Sequence, residues 1–226
     1  MSGPASPDNM EVQPASWVPM AVIAMGQTLT TLNISALPVL IGAMVDEFSI
    51  APTTVASAIV VYSIAVSGFI MLGAKLGQKY GSTTIFRCAT VLLLLAAAMT
   101  ASSNSFRWLL VAQGLSGLGA ALLLPSLVVL ITDNYSGHQQ AKAIGLLGGV
   151  QAAATVATIL IAGLVGTHLG WRYSFGLIVP FAALTWLVSY RLKSSEKQLD
   201  LKIDRMGAVL AALAIGLISL GFNFIN

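Results

Sequence analysis

The side chains here that can do chemistry inside apolar surroundings are amides and hydroxyls. Gln27, Thr31 and Asn33 lie close together in the chain, Gln113 lies further on, and Gln151 comes later, with Thr28, Thr30, Thr155 and Thr158 beside them. Each sits within a long apolar run. Such groups donate and accept hydrogen bonds but hold no charge near neutral pH. Gln27 and Thr31 are four residues apart, and so share one face of a helix. The chemistry open to them is reversible hydrogen bonding, either to a small solute or to neighbouring helices and their own backbone. Catalysis has no support: there is no nucleophile elbow, no HExxH and no phosphate loop. Cys88 is the single cysteine and His138 and His168 stand apart, so no disulfide, metal centre or cofactor is implied.

Ionisable groups avoid the apolar runs. Of the eight acids, Asp8 and Glu11 lie in the N-terminal tail, Asp46 and Glu47 follow the first run, Asp133 ends the fourth, and Glu196, Asp200 and Asp204 lie near the end of the chain. Proton relays through membranes use Asp, Glu or His within the span, where a charge costs roughly 2.5–3.5 kcal/mol on insertion scales. With no acid in mid-span, the sequence supports no proton pathway of its own.

The elements that must position these groups follow from composition. The 226 residues are 57% hydrophobic and 8% charged, against about 25% charge in soluble domains. A globular core of this composition could not be coated with polar residues, so the class is an all-α, polytopic membrane protein. A span takes about 20 apolar residues. Seven stretches qualify: 17–45, 54–76, 83–101, 108–132, 141–167, 173–191 and 206–224. The organisation read from them is a disordered cytoplasmic tail over 1–16, a six-span bundle over 17–191, a charged cytoplasmic linker over 192–205, and a seventh transmembrane helix over 206–226. The tail lacks the basic start of a signal peptide.

The loop at 73–87, GAKLGQKYGSTTIFR, is short, cationic and glycine-marked. With the loops after the fourth and sixth runs it carries Lys75, Lys79, Arg87, Lys142, Arg191, Lys193, Lys197, Lys202 and Arg205, nine of the 11 basic residues. The alternate loops carry Arg107 and Arg172. Positive loops stay inside, which predicts a multi-pass cell-membrane protein with a cytoplasmic N-terminus. The net charge of +3 is spent beside the membrane, not on a basic face for nucleic acid. Small residues mark helix contacts: Gly114, Gly117, Gly119, Ala120 and Ala121 in the fourth run, and a stripe of Gly145, Gly149, Ala153 and Ala157 in the fifth. That stripe reads either as ordinary packing or as a sliding seam between moving helices.

In order and spacing, several stretches resemble the N-terminal half of a major facilitator superfamily transporter, closest to the fourteen-span drug:proton antiporter branch. Leu76, Gly77, Lys79, Tyr80 and Gly81 resemble its loop signature between spans two and three. Thr31, Ala36, Leu37 and Pro38 resemble its first-span motif. Gln113, Gly114, Gly117, Ala120, Ala121 and Pro125 resemble its fourth-span motif. Trp171, Arg172, Tyr173, Phe175 and Pro180 resemble its entry to span six, and Asp204 with Gly207 its extra helices. The charges of those motifs are missing. Gln78 replaces the loop aspartate, Ser82 and Thr83 the following arginines, Leu29 a first-span acid, and Leu110 the fourth-span arginine. The fifth-span glycine-proline signature reads Thr158 to Gly163, with only the last glycine in place.

The resemblance implies two three-helix repeats. It also implies a central cavity lined by spans one and four, with Gln27, Thr31, Asn33, Gln113 and Gln151 as candidate solute ligands. Gly77, Gln78, Lys79 and Gly81 would form its conformational loop, and Asp133, Lys142 and Lys79 a candidate charge latch. Arg172 beside Trp171 reads as an interfacial anchor. The implied role is alternating-access transport of a small neutral or amphipathic solute, not proton-coupled by itself. The competing role is a non-transporting, degenerate subunit that packs in a larger membrane complex. Since a facilitator rocks two six-span bundles, the expected partners are the lipid bilayer, a solute, and a second copy, second half or other membrane subunit.

Overall fold

The computed structural model describes residues 16–193. It holds α1 (Val18–Phe48), α2 (Pro52–Tyr80), α3 (Ser82–Ala101), α4 (Phe106–Asn134), α5 (Gly137–His168), α6 (Trp171–Gly176) and α7 (Ile178–Val188), followed by a 3₁₀ turn at Ser189–Arg191. The α6–α7 unit makes one span, so the described residues hold six helical units of membrane-crossing length. Helices are required because hydrocarbon offers backbone N–H and C=O groups no partner outside the segment. The tail at 1–15, the linker beyond residue 193 and the expected span at 206–224 lie outside the described residues.

Local signals set the boundaries. Pro52 opens α2, where its missing N–H costs nothing. Ser105 caps α4 by accepting from the Trp108 N–H at 3.4 Å. Gly81 alone joins α2 to α3 with φ 90°, a left-handed conformation that a side chain would strain. The helices run past the apolar stretches into their flanks. Asp46, Glu47 and Phe48, expected in a linker, form the last turn of α1, and Gly166 to His168 end α5. Helical backbone bonds continue into the interface because nothing there breaks them. The sixth span, expected unbroken over 173–191, starts at Trp171 and divides at Leu177. Pro180 lacks the N–H that would bond the Gly176 carbonyl, and its ring crowds that turn.

The two halves match in length: 31, 29 and 20 residues for α1 to α3, and 29, 32 and 21 for α4, α5 and the α6–α7 span. They also exchange partners, with α4 packing mainly on α2 and α3 of the first half, and α1 mainly on α5 of the second. Pro38 interrupts α1 and Pro125 interrupts α4. Pro125 leaves the Ala121 carbonyl without its helical donor. Gly73 of α2 closes on that carbonyl, where a β-carbon would overlap it. The core runs through Ile23, Leu29 and Leu37 of α1, Phe86 and Leu93 of α3, Leu123 and Leu127 of α4, and Phe175 of α6.

Candidate functional site

Four of the five predicted cavity residues are buried in α1 and α4. Gln27, Thr31 and Asn33 are 4%, 4% and 3% exposed, and Gln113 is 2% exposed. Thr31 donates to the Gln27 carbonyl at 2.9 Å, and the Gln27 amide approaches the Thr31 hydroxyl at 3.5 Å. Asn33 donates to the Leu29 carbonyl at 3.0 Å, and its side-chain oxygen accepts from Ser116 of α4 at 3.2 Å. Asn33 is thus spent in joining the two helices. Gln113 lies one turn before Ser116 on the same face. Its amide has no hydrogen-bond partner among the described residues, yet it is not sealed: the one fully buried, unpaired side-chain nitrogen or oxygen there is Arg87 Nε. An amide left unpaired in this setting has full capacity for a visiting solute.

Gln151 is elsewhere. It is exposed on α5, and its backbone carbonyl accepts from the Thr155 hydroxyl at 2.9 Å. The stripe beside it is open too: β-carbons placed on Gly145 or Gly149 would meet nothing within 4 Å among the described residues, and Ala153 and Ala157 are exposed. Among the described residues the stripe is therefore not a packing seam.

Of the predicted loop, Gly77 and Gly81 are buried and Gln78 is exposed. Gly77 lets α2 approach Ser82 and Ser126. The charge latch is not formed here. The one salt bridge among the described residues joins Glu47 to Arg172, Asp133 is exposed, and Lys142 Nζ lies 5.6 Å over the Trp17 ring. Trp17 in turn stacks on Tyr135 at 5.3 Å. The Tyr135 hydroxyl donates to the Ser16 carbonyl and accepts from the Met20 N–H, both at 3.0 Å. Burial holds its pKa above the usual tyrosine range, although the Met20 bond opposes this. An aromatic clamp therefore stands at this end where a charge latch was expected.

At the opposite end Arg172 acts as an anchor. Its guanidinium pairs with Glu47, donates to the Ser103 carbonyl and lies 4.6 Å from the Trp171 ring. The Trp171 indole N–H donates to Glu47 at 2.6 Å. Glu47 thus ties α1 to α6, and Arg172 carries the link on to the α3–α4 loop. Sequence reading missed Glu47 because it stood in an apparent linker, and missed Ser116 although its spacing from Gln113 could have flagged it. A cavity of about 200 Å³ lies among α1, α5, α6 and α7, lined by Leu32, Ala36, Ile161, Ile178 and Phe181 with Thr158 and Ser174. It includes none of the five predicted residues.

The profile of the Major Facilitator Superfamily matches residues 23–225. The chain belongs to this superfamily. It is 25% identical over 201 residues to the methylenomycin A resistance protein of Bacillus subtilis, covering 88% of this chain and 43% of that one. It is 23% identical over 213 residues to the riboflavin transporter RibZ of Clostridioides difficile, covering 92% of this chain and 46% of that one. Among solved structures, the fold is similar to a peptide transporter, POT, in complex with sulfate (TM-score 0.73, 14% identity, 91% of this chain and 45% of the other). It is also similar to the proton:xylose symporter XylE (TM-score 0.70, 14% identity, 92% and 51%). The facilitator chain thus spans about half the length of the relatives it matches. It is a multi-pass membrane protein of a transporter family.

Proposed function

We propose that this facilitator chain supplies one bundle of an alternating-access transporter. Its solute is small and neutral or amphipathic, its own residues carry no proton coupling, and it works with a second bundle from another copy or another chain. The observation that carries this reading is the separation of neutral from ionisable groups. Gln27, Thr31 and Asn33 of α1 and Gln113 of α4 are buried, and Asn33 meets Ser116 across the α1–α4 seam. The described acids, Asp46, Glu47 and Asp133, sit in the last turns of α1 and α4, with Glu47 engaged by Arg172. Buried amides and hydroxyls suit a solute that exchanges hydrogen bonds, while a charged solute would be left without a counter-charge. Gln113, unpaired, is the first ligand of this reading; Gln27 and Thr31 follow. The open faces of α2 and α5 support a second bundle, and the cationic loops favour a cytoplasmic N-terminus in this reading.

The test is transport in liposomes. The purified chain is reconstituted and counterflow of a panel of neutral and amphipathic solutes is followed with and without an imposed pH gradient. Flux of a neutral solute, indifferent to that gradient, is expected. Gln113→Ala lowers it about two- to tenfold, the equivalent of one charge-free hydrogen-bond contact, at an unchanged unfolding temperature. Solute accumulation that follows the pH gradient overturns the reading.

A further inference from the structure

Arg87 has no role in the α1–α4 seam, and its surroundings are unusual for a cation. It lies on the second turn of α3. One terminal amino group donates to the Ser189 carbonyl at 3.2 Å, and the guanidinium lies 4.5 Å from the Tyr190 ring centroid. Its Nε is sealed and has no hydrogen-bond partner. One turn earlier on the same face, Thr83 donates to the Lys193 carbonyl at 2.7 Å. The face of α3 that carries Thr83 and Arg87 therefore runs along residues 189–193. Arg191 and Lys193, both exposed, join Arg87 there.

Three cations thus meet where α3 begins and α7 ends. The described acids do not answer them. Asp46 and Glu47 close α1, and Glu47 is held by Arg172; Asp133 closes α4 and makes no ion pair. Tyr190 is 58% exposed and Trp186 packs edge-on against it at 5.4 Å. Such an aromatic pair is typical of the level where headgroups meet acyl chains. A guanidinium presents N–H groups in a planar fork that matches a phosphate, and only one such donor of Arg87 is spent on protein.

We propose that this corner is a binding site for an anionic phospholipid. Its phosphate is taken by the free amino edge of Arg87 with Arg191 and Lys193, and its acyl chains lie against Tyr190 and Trp186. Basic pockets between transmembrane helices are suited to such headgroups. The lipid supplies the counter-charge that the described acids do not, and it staples the start of α3 to the end of α7.

The full-length chain in nanodiscs tests this, with lipid retention read by native mass spectrometry and unfolding followed by heating. The bilayers are phosphatidylcholine alone or with phosphatidylglycerol. The wild type is expected to retain phosphatidylglycerol over phosphatidylcholine and to unfold at a higher temperature in its presence. The double variant Arg191→Gln/Lys193→Gln leaves the buried contacts intact and is expected to lose about fivefold in retention per charge removed. Arg87→Gln is expected to abolish retention, and Arg87→Lys, which keeps charge but not the fork, to restore part of it. Lys142→Gln and Arg107→Gln, equal charge losses elsewhere, leave retention unchanged. Equal retention of both lipids, equal losses in the two control variants, or displacement by soluble inorganic phosphate alone overturns the proposal.

Discussion

Helices α4 and α5 carry the same kind of small-residue pattern and do opposite things with it. In the most apolar 18-residue stretch of each, 56% of residues are buried in α4 and 11% in α5. A β-carbon on Gly117 of α4 would lie 2.5 Å from the Tyr62 carbonyl oxygen, and one on Gly119 would lie 2.9 Å from the Leu93 side chain. On α5 the same test at Gly145, Gly148 and Gly149 meets empty space. Small residues permit close approach, but they do not say what approaches. In α4 the partners are α2 and α3 of the same chain. The α5 stripe is a surface of equal smoothness with nothing from the described residues upon it.

The largest expected effect breaks this symmetry directly. Gly117→Leu forces a side chain into the backbone of α2, which cannot move without shifting the Gly73–Ala121 contact beside it. A loss of about 3 kcal/mol or more is expected, seen as failure to recover monodisperse protein from detergent or a sharply lowered unfolding temperature. Gly149→Leu, the same chemical change on α5, is expected to alter stability by less than about 0.5 kcal/mol. If the proposed second bundle rides on this face, it nonetheless suppresses flux. Equal destabilisation by the two variants would remove the distinction between the helices.

A smaller effect sharpens the contrast between the two ends of the bundle. At one end Glu47 and Arg172 knit three segments with charge; at the other, Trp17, Tyr135 and Lys142 use rings. Glu47→Gln leaves Arg172 without its counter-charge. Both groups are partly exposed, 40% and 30%, so solvent screening limits the cost to about 1 kcal/mol. The unfolding temperature should fall modestly and the fall should shrink in high salt, where the wild-type pair is itself screened. A salt-independent loss would mean that packing around Trp171, not charge, holds that end.

The helices were legible in the sequence because bilayer thickness fixes their length and hydrocarbon forces their type. Their ends were less so. Asp46 and Glu47 looked like loop because they are charged, yet the α1 backbone continues through them and Glu47 finds Arg172 more than a hundred residues away. The break at Leu177 was foreshadowed by Pro180, but an apolar run reads as continuous through it. Of the candidate site, burial of Gln27, Thr31, Asn33 and Gln113 could be anticipated from their place in apolar runs. Spacing alone could not reveal that Asn33 is occupied by Ser116 while Gln113 is unpaired, because that depends on how α1 and α4 are rotated against each other. Gln151 shows the same limit from the other side. An isolated amide in an apolar helix looks alike whether it faces a core or an open flank.

An effect of similar size concerns the ring-built end. Tyr135→Phe removes the hydroxyl that accepts from the Met20 N–H and donates to the Ser16 carbonyl while keeping the stack on Trp17. About 1 kcal/mol is expected from the lost hydrogen bonds, with Lys142 still over the Trp17 ring. The hydroxyl also gives this end its own pH signature. Burial raises the Tyr135 pKa in the folded chain, so the neutral form is favoured on folding. The resulting stability is complete below the unfolded value of about 10 and fades as pH rises through the folded one. Wild type should therefore lose stability in that alkaline window and Tyr135→Phe should lose less. The Glu47 end, titrating as a carboxylate, should be indifferent there. Identical alkaline profiles for wild type and Tyr135→Phe would show that burial does not hold the Tyr135 hydroxyl in its neutral form.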